Sequence, residues 1–118
     1  MTELSTRPWF ANISWLTLPD AAELLGTTAS RVRRLLEERV LLATHVDGVR
    51  KIPAQFVVDG EPMHELRGTL TVLADNGFTD DEALDWLLSD EESLGTSPLA
   101  ALEAGRKAEV RRVAQSLL

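Results

Sequence analysis

Residues 16–53 read "LTLPDAAELLGTTASRVRRLLEERVLLATHVDGVRKIP", and three local signals follow one another along them. Pro19 and Asp20 open a short helix, Ala21, Ala22, Leu24 and Leu25 supply its buried side, and Gly26 ends it. Thr28 caps a second helix, whose Val32, Leu35 and Leu36 keep the i, i+3, i+4 spacing of one buried stripe. Asp47-Gly48 then sits between two runs rich in β-branched residues. That dipeptide supplies the positive φ angles a two-residue turn demands, so residues 43–52 are expected to form a β-hairpin closed by Pro53.

Within this stretch four arginines, Arg31, Arg33, Arg34 and Arg39, fall in nine positions of a chain whose formal net charge is −7. Positive charge is local. Residues 27–58 hold six basic side chains against three acidic ones, whereas residues 59–103 hold one arginine against twelve carboxylates. At about 100° per residue, Ser30 and Arg34 point away from the buried stripe, and Arg31 and Arg33 flank them. Like charges gathered on one face repel, and the helix gains little from them unless an anion meets them. The competing reading is a solvated face on which Glu37 and Glu38 form surface ion pairs of little worth with Arg33 or Arg34.

Helix, tight turn, helix and hairpin is the plan of a winged helix-turn-helix, whose second helix enters the DNA major groove while the hairpin touches the backbone. The expected ligand is therefore double-stranded DNA. Arginine forks onto guanine edges, whereas Thr28 and Ser30 are suited to phosphate oxygens or to capping. On the hairpin, His45 is placed near phosphate, and strand alternation sends Arg50 and Lys51 to opposite faces.

Outward from this core, "MTELSTRP" reads as a polar tail, and Trp9, Phe10, Ile13, Trp15 and Leu16 are expected to cover a core edge. Residues 56–58 form either a short strand or an irregular apolar link before the Asp59-Gly60 turn. From residue 65 the pattern is helical. Leu66, Leu70, Val72 and Leu73 make one stripe stopped at Asn76-Gly77. Thr79 and Glu82 form a capping box for a helix with Ala83, Trp86 and Leu87 inside. Ser97 and Pro98 open another that Gly105 closes, and Val110, Val113, Ala114 and Leu117 line a last one. Gly60, Gly68, Gly77, Gly95 and Gly105 are read as turns or helix ends. The expected fold is mainly α with a small β-hairpin: a tail and apolar lead-in over residues 1–14, a winged helix-turn-helix over 15–58, and a helical bundle over 59–118 packed on it.

Other classes of function find little support. The chain has no cysteine, which removes disulfides, thiol nucleophiles and thiolate metal sites. His45 and His64 are the only histidines and the carboxylates lack calcium-loop spacing, so neither a metal nor a cofactor is expected, nor an enzyme. Apolar runs are too short to cross a bilayer and no signal-peptide pattern opens the chain, which makes a cytoplasmic protein the expectation.

The segment "AAELLG", the helix "SRVRRLL" and the basic residues after the hairpin turn resemble the winged helix-turn-helix of MerR and excisionase-like proteins. That resemblance implies recognition-helix contacts from Thr28, Ser30, Arg31, Arg33 and Arg34 and wing contacts from Arg50 and Lys51. MerR proteins continue into a long dimerisation coiled coil, and here Gly and Pro interrupt short helices instead. Residues 15–118 resemble a small actinobacterial family of winged-helix DNA-binding proteins, one member of which is a serine/threonine kinase substrate. This implies a kinase as a partner; the tail offers Thr2, Ser5 and Thr6, of which Thr2 and Thr6 are the expected targets, and a charge of about −1.5 to −2 added there would oppose phosphate binding. Thr79, Glu82, Ala83, Trp86, Leu87, Leu94, Ser97, Pro98, Leu102, Gly105, Arg106 and Val110 are similar to the helical partner-binding domain of some antitoxins. The function expected from the helix-turn-helix and hairpin is double-stranded DNA binding as a transcriptional regulator or nucleoid-associated factor; an antitoxin-like or adaptor module acting through the C-terminal helices on a protein partner is the alternative.

Overall fold

The computed structural model describes residues 4–117. They divide into two compact units, one of residues 12–67 and one combining residues 4–11 with 68–117. The first unit opens with strand β1 (Trp15–Thr17), followed by helices α1 (Leu18–Leu25) and α2 (Ala29–Glu37). Thr17 caps α1 reciprocally: its hydroxyl accepts from the Asp20 N–H at 3.2 Å, and the Asp20 carboxylate accepts from the Thr17 N–H at 3.3 Å. Gly26 ends α1 in the left-handed region, at φ 66°, and donates to the Ala22 carbonyl. Ala21 and Ala22 are buried, but Leu24, expected inside, is 54% exposed. It lies about 110° from the centre of the arc set by Leu18, Ala21, Ala22 and Leu25, too far round so short a helix to reach the core.

Strands β2 (Thr44–Val46) and β3 (Val49–Pro53) form the hairpin, with Asp47 at φ 53° and Gly48 at φ 78° in its turn. A third strand was not legible in the sequence: β1 pairs antiparallel with β3, Leu16 opposite Ile52, giving the order β1-β3-β2. Three residues carry no period of their own, so only the partner strand identifies them. Of residues 56–58, expected as a short strand or an irregular apolar link, Val57 and Val58 are strand. A 3-10 turn at Ala54–Phe56 buries Phe56 completely and leads into β4 (Val57–Val58), which pairs with β5 (Glu61–Pro62) across Asp59-Gly60.

Helix α3 (Leu66–Asp75) begins at the end of the first unit; α4 (Asp80–Leu88), α5 (Pro98–Glu103) and α6 (Lys107–Gln115) belong to the second. Ala83, Leu84, Leu87 and Leu88 are the buried face of α4. Trp86, expected among them, is half-buried and turns its indole N–H to the Glu91 carboxylate at 3.3 Å, because a buried indole needs a partner for that donor. Gly68 is neither a turn nor a helix end. It lies within α3, where a Cβ would run into the Arg111 guanidinium.

Residues 4–8 are not a free tail. Leu4 and Trp9 are buried at 5% and 8% exposure, the Trp9 indole donates to Asp85 Oδ1 at 2.9 Å, and Arg7 pairs with Asp85 Oδ2 at 3.3 Å. Two apolar side chains and one receiving carboxylate thus hold a segment whose composition alone reads as solvated.

The α4 capping box yields a pH prediction. Hydrogen bonds from the Thr79 backbone N–H and then its hydroxyl hold the Glu82 carboxyl below the usual glutamate range. A carboxyl depressed in the folded state stabilises above its unfolded value, and that contribution disappears as pH falls through the lowered one. The melting temperatures of the parent and Glu82→Ala should therefore differ most at neutral pH and converge as pH falls below the usual glutamate range. A gap that stays constant over this range would refute the cap's role.

Candidate nucleic-acid interface

Thr28 fixes where α2 begins, its hydroxyl accepting from the Arg31 N–H at 3.2 Å. Val32, Leu35 and Leu36 are buried, and this anchors the helix's rotation. Ser30, Arg31, Arg33 and Arg34 are consequently exposed together. With Glu37 they line an open concavity of about 520 Å³. Glu37, by its spacing an ion-pair partner for Arg33 or Arg34, stands seven residues from Ser30, two helical turns further along the same outward line.

Charge within this face is only slightly neutralised. Arg34 Nε lies 3.8 Å from Glu38 Oε2, with the two side chains 67% and 46% exposed, a surface pair of little energetic weight. Among the described residues Arg31 and Arg33 form no ion pair. Arg39 departs from the cluster: it takes the left-handed conformation, at φ 56°, that ends α2, with the Val40 N–H closing back onto the Leu35 carbonyl at 2.9 Å.

The hairpin separates its basic residues as the alternation requires. His45 and Arg50 lie directly opposite each other on one face and are exposed. Lys51, on the other face, sits between Thr17 and Thr44 in the central strand and is half-buried. The tip is not basic: Val46 and Val49 flank Asp47-Gly48, and Val49 is 48% exposed. Of the two threonines read as kinase targets, Thr6 is exposed in a 3-10 turn of the helical unit, and Thr2 lies outside the described residues. Among the described residues no group of three or more His, Cys, Asp or Glu is placed to hold a metal ion, and no helix is long and apolar enough to cross a membrane.

Comparison with known proteins bears on the fold that carries these residues. Residues 10–57 match the profile described as "DNA-binding protein Rv2175c, wHTH domain", and residues 63–117 match "Rv2175c C-terminal domain of unknown function". Over 113 residues, covering 85% of this chain and 77% of the relative, the sequence is 35% identical to DNA-binding protein Rv2175c of Mycobacterium tuberculosis strain H37Rv. The chain belongs to the Rv2175c family. The NMR structure of Rv2175c superposes with a TM-score of 0.82 at 34% identity, covering 90% of this chain and 82% of that one. The winged helix-turn-helix of the Rv2175c family thus corresponds to the unit that carries the arginine face and the hairpin.

Proposed function

We propose that residues 12–67 bind double-stranded DNA, with α2 in the major groove and the β2–β3 hairpin as a wing on the backbone. One observation carries the reading: a helix anchored by Val32, Leu35 and Leu36 presents Arg31 and Arg33, unpaired among the described residues, beside Ser30 in an open concavity. Guanidinium groups so placed suit guanine edges and phosphate oxygens, and Ser30 and Thr28 suit phosphate. The exposed His45 and Arg50 face of the hairpin is the better wing surface, with Lys51 a weaker contributor. A base-reading domain of this kind serves transcription regulation, and the family to which the chain belongs takes its name from a DNA-binding protein.

Binding of a labelled duplex, followed by fluorescence anisotropy at about 50 and 200 mM salt, tests the reading because each neutralised phosphate adds about one unit to the salt slope. The parent should bind with a steep slope. Arg50→Ala should weaken binding on every duplex alike and flatten the slope by about one unit, the mark of a phosphate contact. Absence of binding at the lower salt would refute the proposal; an unchanged slope in Arg50→Ala would remove the wing from it.

A further inference from the structure

We propose that Glu37 selects one base pair, accepting a hydrogen bond from the exocyclic amino group of a cytosine in the major groove. The inference rests on the DNA-binding reading above and extends it to sequence preference. Its starting point is a carboxylate lining a concavity otherwise built from Ser30, Arg31, Arg33 and Arg34. At about 100° per residue, Ser30, Arg34 and Glu37 all fall within roughly 40° of the direction opposite the Val32, Leu35 and Leu36 stripe. Glu37 is as much part of the outward ridge as the basic residues are. It stands about 10 Å along the axis from Ser30, a distance spanning about three base pairs.

Ion pairing does not account for this carboxylate. Arg33 and Arg34 precede Glu37 by four and three residues, yet Arg34 turns to Glu38, and among the described residues Glu37 has no partner. Arginine placed before the acid is also the weaker order for a helical pair.

A charged acceptor on this ridge is repelled by phosphate oxygens and by the acceptor atoms of guanine and thymine in the major groove. Only the amino groups of cytosine and adenine donate there. On adenine the donor has the N7 lone pair beside it, which a second carboxylate oxygen would meet; cytosine carries no acceptor next to its amino group, so cytosine is the better match. The neighbouring arginines favour guanine by the same geometry. The ridge as a whole is therefore suited to a G·C-containing site, with Glu37 fixing the strand on which one cytosine lies.

Selection of duplexes from a randomised pool by the full chain, comparing the parent with Glu37→Ala and Glu37→Gln, tests this. The parent should enrich cytosine at one position, and Glu37→Ala should lose that preference, by about tenfold, while preferences at the other positions persist. Glu37→Gln should shift the same position towards adenine, whose donor and acceptor an amide can meet together. If both variants instead bind every duplex more tightly by an equal factor with base preferences unchanged, Glu37 is only a repelling charge and the inference falls. A parent that binds with no base preference overturns it while leaving DNA binding intact; a parent that binds no duplex overturns both.

Discussion

Replacing Arg31 and Arg33 together by alanine should lower affinity for duplex DNA by about a hundredfold at fixed salt, taking each lost arginine contact at about 1.4 kcal/mol, within the range for base and phosphate contacts. These two are the guanidinium groups of the concavity that no carboxylate engages among the described residues, so their loss is not cushioned by release of a partner. Arg34→Ala should cost less, because its guanidinium already shares its charge with Glu38 at 3.8 Å. Arg33→Lys separates two roles. A lysine keeps the charge and loses the fork, so near-parental affinity would mean that Arg33 meets phosphate, and a loss confined to guanine-containing sites would mean that it reads a base edge. Lys107→Ala, which removes one exposed charge from the helical unit, provides the comparison for net charge. Should the double variant bind as Lys107→Ala does, the outward face of α2 is not the docking surface.

Phe56→Ala should destabilise the winged unit by about 3–5 kcal/mol, read as a fall in the urea midpoint. Phe56 is fully buried, in the 3-10 turn that joins the hairpin sheet to β4 and β5, and truncating a buried aromatic removes its transfer energy and leaves a cavity besides. Small units have little margin, so a loss of this size leaves much of the population unfolded and DNA binding falls with it. Phe56→Leu keeps most of the volume and should retain both stability and binding. A loss below about 1 kcal/mol for the alanine variant would mean that the surroundings close over the gap and that Phe56 does not hold this unit together.

Helix caps and hairpin turns were legible because each is settled within a few residues. Thr28, Thr79 with Glu82, Ser97 with Pro98 and Asp47-Gly48 all appear in the structure where local chemistry put them. The arginine face followed from the same logic, since three buried positions on α2 dictate where every other residue of that helix points. The same geometry covers Glu37, although an acid three and four residues after arginines reads first as an ion-pair partner. What composition concealed was contact made at a distance. Leu4, Arg7 and Trp9 read as tail or edge, and only Asp85, far along the chain, shows that they belong to the helical unit.

Capping, turn conformation and helical period act over one or two turns of chain, so the helices, the hairpin and the basic ridge follow from residue order. That Trp15–Thr17 is a strand, that Leu24 faces solvent, and that Lys51 is flanked by Thr17 as well as Thr44 in a central strand could be read only from the folded chain. Those outcomes depend on which surfaces come to lie against one another, and a residue's own neighbours in sequence hold no record of that.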